Sequence, residues 1–281
     1  MNLLYFCPLW GSETMPFEQF LQQAKNAGYD GVEMSFPLNE KERNEKAKLI
    51  DSLGLKLIAQ HWETVDKDPK LHRHNFEKRL RNLASTNPLF INSQTGKDYY
   101  TFDQNCELFN LANEIAIETG VPIIHETHRG KWSFAAHITK EYLDRLPDLK
   151  ITLDISHWCV TAESFLQDQK EAVNKAIGST AHLHARVGYT EGPQVPDPRV
   201  PDWGSALNFH LEWWDRLIKV NKEKEFFTVT PEFGAPPYLI NHPESGEPLA
   251  SQWDVNVWMM NLFKKRYSHL FSVDTSTETE F

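Results

Sequence analysis

Four short apolar runs decide how this 281-residue chain is read: Val121-Pro-Ile-Ile-His125-Glu126-Thr-His128, Lys150-Ile-Thr-Leu-Asp154-Ile-Ser-His157, Ala181-His182-Leu-His184-Ala-Arg186 and Phe226-Phe-Thr-Val-Thr-Pro-Glu232. In each, strand-forming residues lead into a Glu, Asp or His at or near the C-terminal end of the run. Parallel barrels deliver their chemistry at that end of their strands. One such coincidence carries little weight, but four in succession, each followed by a loop or a helical pattern, describe a site.

Working outward, the same alternation extends to both ends of the chain. Residues 2–7 predict a first strand, with Trp10-Gly11 in the loop after it. Pro16 opens a helix with Phe17, Phe20, Leu21 and Ala24 on one face, and Gly28 closes it. Residues 30–36 predict strand two, 40–53 a charged surface helix, and 55–62 strand three with His61 at its end. A helix through Phe76, Leu80 and Leu83 leads to a fourth strand over 88–92, followed by Ser93-Gln94-Thr95-Gly96. Thr101 or Asp103 can cap the next helix, which Gly120 ends. Helices over 135–146, 169–177 and 206–220 separate the four quoted runs, and one over 253–267 completes the set. Near-continuous apolar strands alternating with helices predict parallel strands covered on both faces. The fold expected is one (β/α)8 TIM barrel over residues 1–271, with a disordered acidic tail over 272–281.

The totals agree with a soluble enzyme-sized domain. A formal charge of −10 argues against general affinity for nucleic-acid phosphates. Cys7, Cys106 and Cys159 are few and lack C-x-x-C spacing, which predicts a reducing, cytoplasmic setting and no disulfide scaffold. No apolar run approaches the roughly 20 residues a membrane span needs. The segments 188–205, with four prolines, and 234–252 are too long for plain connectors. Both are expected to roof the rim where the site stands.

Glu126, Asp154, His184 and Glu232 supply three carboxylates and one imidazole. Such an oxygen-rich set suits one divalent ion, with Mn²⁺, Mg²⁺ or Co²⁺ favoured and Zn²⁺ also compatible. Without a cation, three converging carboxylates would repel one another strongly.

With these residues in their contexts, the chain resembles the xylose-isomerase-like TIM barrel superfamily. Its metal site takes Glu from strand five, Asp from six, His from seven and Glu from eight. Glu126, Asp154, His184 and Glu232 match by order and context, as do the Asp154-x-x-His157 pairing and the entry Gly28-Tyr-Asp-Gly31-Val-Glu33. The resemblance implies a metal-dependent enzyme acting on a small-molecule sugar, and its members often form dimers or tetramers, so a homo-oligomer is an open expectation. Two departures narrow it. The fourth strand ends Asn92-Ser93-Gln94 without a His, and the loop after strand seven reads Pro-Asp197-Pro-Arg199, which argues against endonuclease IV-type cleavage of DNA. The ketulose 3-epimerase members carry a second Glu and an Arg where this chain has Trp132 and Thr190, so that specificity does not transfer.

The chemistry such a site can perform is proton abstraction beside a carbonyl. A divalent ion polarises a hydroxy-ketone and stabilises its enediolate while a carboxylate takes the proton. By resemblance, Glu126 and Glu232 are the catalytic pair. Isomerase, epimerase and dehydratase or lyase outcomes all follow from that intermediate, and a non-catalytic sugar-binding barrel is the remaining alternative. His157, His61, Arg186 and Arg129 are candidate substrate contacts, with Glu33 on the same rim beside His61. Trp10, Trp62, Trp132 and Trp158 each follow a strand end and are expected to form an aromatic wall. No phosphate-binding glycine-rich loop is present, which favours an unphosphorylated sugar.

Overall fold

The computed structural model describes residues 1–268; the tail expected over 272–281 lies outside them. The elements run β1 (Asn2–Pro8), α1 (Phe17–Ala27), β2 (Gly31–Met34), α2 (Glu40–Ser52), β3 (Lys56–His61), α3 (Pro69–Ala84), β4 (Ile91–Ser93) and α4 (Phe102–Thr119). They continue with β5 (Ile123–Glu126), α5 (Ala136–Arg145), β6 (Ile151–Leu153), α6 (Ser156–Ala162), α7 (Lys170–Ser179) and β7 (Thr180–His184). After β7 come α8 (Gly204–Asn221), β8 (Phe226–Thr230) and α9 (Gln252–Arg266). The strands pair in parallel in sequence order, and β1 pairs with β8, so the barrel closes. This is the expected α/β TIM barrel.

Local chemistry accounts for the helix boundaries. Thr101 caps α4 in a reciprocal capping box with Gln104, satisfying two backbone N–H groups at once. Gly28 and Gly120 take the left-handed conformation that ends α1 and α4. Gly31 serves closeness of approach, because a Cβ there would stand 2.3 Å from the carbonyl oxygen of Lys56 on β3. The helices bury one face against the strands; Phe20, Leu21 and Ala24 of α1 are fully buried. Helix α2, with Ile50 as its buried residue, is the charged surface helix expected.

Two elements depart from expectation. β4 begins and ends later than residues 88–92, since Asn87 sits at positive φ and Pro88 has no N–H for the ladder. α6 was not expected: seven residues with no side-chain cap leave little periodic signal. Its consequence is local, because its first turn carries His157 next to Asp154. Among the described residues no helix is long and apolar enough to cross a membrane.

Buried neutral histidines tie this fold to pH. His210 on α8 is fully buried; its Nδ1–H donates to the Ala206 carbonyl (2.8 Å) and its Nε2 accepts from the backbone N–H of Gly188 (3.2 Å). Burial pushes its pKa down to about 4 from 6.5. The stabilising contribution of the neutral ring is complete above pH 6.5 and is lost as pH falls toward 4, because the unfolded chain binds the proton first. Between pH 7 and 5 that loss is about 2 kcal/mol. In urea titrations, His210→Gln is expected to show a flatter decline than the wild type over that range. Parallel declines would remove His210 as a contributor.

Candidate metal centre and active-site cavity

The closed barrel brings the four expected ligands together at one end. Glu126 is the last residue of β5, Asp154 follows β6, His184 ends β7 and Glu232 lies two residues past β8. All four are buried, and one donor atom from each lies within 4.8 Å of the others. Sequence order becomes spatial order because parallel neighbours in register deliver their ends to the same rim.

Each carboxylate is held by its neighbours. Asp154 Oδ1 accepts from the Ser156 N–H (3.0 Å) and hydroxyl (2.5 Å), and Oδ2 accepts from Arg186 Nη2. Glu232 Oε1 accepts from Gln60 Nε2 at 2.8 Å. Glu126 accepts from Gln94 Nε2 and Asn92 Nδ2, both at 3.3 Å. His184 turns Nε2 toward Glu33, 3.0 Å from Oε1. Its Nδ1 makes no well-aligned hydrogen bond among the described residues, although Glu232 Oε2 is 3.0 Å and Glu126 Oε1 3.7 Å away.

The electrostatics follow from crowding. Burial alone would raise the Glu232 carboxyl, but His184 and Arg186 hold it below the usual carboxylate range. At Asp154 burial outweighs Arg186 and the pKa is raised. At His184 burial opposes the charged ring, yet Glu232, Glu33 and Glu126 lift its pKa well above that of an ordinary imidazole. The cluster thus draws in positive charge. Glu126, Asp154, Glu232 and the adjoining Glu33 outnumber the one guanidinium, Arg186, that faces them, so the buried cluster is rich in negative charge, as a cation site would be. The unpartnered Nδ1 and the mixed oxygen and nitrogen donors fit such an ion.

Above the centre opens a cavity of about 420 Å³, within the size range of small-molecule sites. Glu126, Glu232 and Arg186 face it together with Gln60, Gln94 and His128. Trp10, Trp62 and Tyr238 provide its aromatic surface, and Trp62 is 53% exposed. Tyr238 meets Trp10 edge-on at 5.0 Å, and the Arg186 and Arg129 guanidinium groups stand over the Tyr238 ring at 4.9 and 5.2 Å.

Not every expected contact reaches this cavity. Trp132 and Trp158 are buried and absent from its lining. Trp132 packs on Phe109 and Tyr142, while Trp158 donates its Nε1–H to the Ser133 carbonyl. The expected four-Trp wall is therefore a pair, because position after a strand end does not fix which way a ring turns. His61 is fully buried between Ser93 (2.9 Å) and Thr64 (2.7 Å), away from the lining. His157 lies behind Asp154, its Nε2 accepting from Arg186 Nη2 at 2.8 Å. Burial, His128 and Arg186 push its pKa well below the ordinary value, so the ring is neutral. Arg129 is exposed and absent from the lining, with its guanidinium over the Tyr238 ring. Glu33 does not buttress His61; it lies under His182 and His184.

The sequence does not single out several of the residues that line the cavity or hold its carboxylates. Gln60, Gln94, Asn92 and His128 sit at the ends of β3 and β4 and just after β5, where polar residues interrupting apolar runs were the available signal. Tyr238 comes from the segment 234–252, as its expected roofing role requires. The segment 188–205 acts indirectly: Gln194 accepts from the Gly234 N–H (2.7 Å) and donates to its carbonyl (3.2 Å). Gly234 itself has no room for a Cβ, which would stand 2.0 Å from the Trp10 indole.

Residues 21–219 match the family described as Xylose isomerase-like TIM barrel. No curated protein matches the chain in sequence. Solved structures share its architecture at low identity. The 3-keto-D-glucoside 4-epimerase YcjR from E. coli superposes with a TM-score of 0.63 at 14% identity, covering 94% of this chain and 100% of that one. The probable 3-DHS dehydratase AsbF from Bacillus anthracis gives 0.59 at 16%, covering 95% and 100%. A sugar phosphate isomerase/epimerase from Parabacteroides distasonis gives 0.60 at 16%, covering 94% and 98%.

Proposed function

We propose, for a chain that belongs to the xylose isomerase-like TIM barrel family, a divalent-metal-dependent isomerase or epimerase that moves a proton beside the carbonyl of an unphosphorylated sugar or sugar derivative. The observation that carries this reading is the placement of Glu126 and Glu232 on one cavity, each carboxylate oriented by a side-chain amide and paired with a ligand set that fits a divalent ion.

The ion, held by Glu126, Asp154, His184 and Glu232, would polarise the carbonyl and stabilise negative charge on its oxygen. The chain's own residues do the rest. One of Glu126 and Glu232 accepts the proton from carbon and the other returns one, a division of labour that needs two carboxylates facing the same substrate. Gln60 orients Glu232 through Oε1, and Gln94 and Asn92 orient Glu126 through Oε1 and Oε2. Arg186 is committed to Asp154, the Glu232 carbonyl and His157, so it supplies charge balance, not a forked anion clamp. The aromatic rings above the centre suit a polyol, whose C–H faces pack on Trp10 and Trp62. Relatives in fold named as an epimerase, a dehydratase and an isomerase/epimerase are compatible with a shared proton-abstraction step.

The test is isotopic. Incubated in D2O with Mn²⁺ and a panel of keto-hexoses and methyl 3-keto-hexosides, the protein is expected to place deuterium on carbon next to the carbonyl, and EDTA to stop it. Exchange that survives EDTA, or no exchange across the panel with Mn²⁺ bound, would refute the reading.

A further inference from the structure

Beneath the four ion-facing donors lies a second, fully buried layer of polar residues that no step above uses. We propose that Glu33 is a positioning residue for the metal centre, fixing the ring and the tautomer of His184 so that Nδ1 presents its lone pair to the ion. This rests on the metal-dependent reading above.

Glu33, on β2, is 1% exposed, and its Oε1 and Oε2 stand 3.0 and 3.2 Å from His184 Nε2. On the opposite edge of the ring, Nδ1 faces Glu232 and Glu126 without a hydrogen bond. A neutral imidazole offers a lone pair at one nitrogen only when its proton sits on the other. A carboxylate at Nε2 draws the proton there and makes the ring a better ligand. Asn92 Nδ2 is also near Nε2, at 3.2 Å, but its hydrogens have Glu33 Oε1 at 2.8 Å and Glu126 Oε2 at 3.3 Å as acceptors. It has no call on the imidazole lone pair.

Glu33 is itself held from below. The Thr230 hydroxyl donates to Oε2 at 2.5 Å, and His182 Nε2 reaches the same oxygen at 3.2 Å. His182 is locked in turn by Thr228 Oγ1 at its Nδ1, 2.7 Å away. Glu33, His182 and His184 could by spacing hold an ion of their own, since their donor atoms lie within 4.8 Å. The Nε2 atoms of both histidines already face the Glu33 oxygens, however, so the layer supports the ion above it.

Mn²⁺ binding to chelator-stripped protein, followed by calorimetry, tests the assignment. Glu33→Gln is expected to weaken binding by roughly 10–100-fold, with an unchanged circular dichroism spectrum. Thr230→Val, which removes only the hydroxyl that holds Glu33, is expected to weaken it by a smaller factor. In the Zn²⁺-loaded wild type, ¹⁵N shifts are expected to place the His184 proton on Nε2. Wild-type affinity in Glu33→Gln overturns the proposal, as does a lowered melting temperature with unaltered affinity of the folded protein, which marks a merely structural role. If Glu33→Gln fails to fold, wild-type affinity in Thr230→Val overturns it. A wild type that binds no Mn²⁺ would instead remove the functional reading itself.

Discussion

Glu126→Gln and Glu232→Gln are each expected to lower turnover by about 10³-fold at saturating Mn²⁺, the size of effect associated with losing a positioned acid or base. Both exchanges conserve volume, and both sites keep amide partners in Gln94, Asn92 and Gln60, so the barrel is expected to fold unchanged. Because each carboxylate is also a ligand, weaker ion binding must be separated from lost proton transfer. Saturating Mn²⁺ removes the first effect and leaves the second. The two variants should also differ in kind. If one carboxylate serves each face of the substrate, each variant blocks abstraction from one epimer only and still allows deuterium into the other. Identical loss with both substrates would indicate a single base, and wild-type turnover in either variant would end its catalytic assignment.

That these two residues can be singled out reflects which parts of the chain carry a pattern. Barrel strands are buried on both faces and read as apolar runs, so the acids and histidines that end them stand out. Glu126, Asp154, His184 and Glu232 were legible for that reason, and the closed parallel order converts their sequence positions into one cluster. Side-chain direction past the strand end was not legible. Trp62 and Trp132 occupy similar places in sequence, yet one borders the cavity and the other packs on Phe109 and Tyr142. The amides followed the same logic in reverse. Gln60 and Asn92 are unremarkable in a strand until the carboxylates they meet, Glu232 and Glu126, arrive from 172 and 34 residues away. His61 resembled a contact because it ends a strand, but Ser93 and Thr64 already engage both of its ring nitrogens. Nothing in local periodicity encodes such pairings; they depend on barrel closure.

Arg186 is where that long-range bookkeeping has its largest consequence for stability. It is 1% exposed, donates to Asp154, the Glu232 carbonyl and Ser156, and its pKa is raised because the charges of Asp154 and Glu232 outweigh its burial. Arg186→Met keeps an apolar stem of similar reach but leaves the ligand carboxylates without their internal counter-charge. Stripping one partner from a buried charge pair costs about 3–5 kcal/mol, and that is the expected loss in EDTA. Mn²⁺ should recover part of it. Both proteins gain from binding, by about 2.7 kcal/mol at a hundredfold excess over Kd, and the gap closes by the extra affinity of the more negative site, about 1.4 kcal/mol for each tenfold. The gap in melting temperature between wild type and variant is therefore expected to be narrower in Mn²⁺ than in EDTA. Arg186→Lys, which keeps the charge but loses the fork that spans Asp154 and Ser156, should fall between the two. A gap of equal width in both buffers would mean that Arg186 stabilises the barrel by packing alone, and that its charge plays no part in balancing the centre.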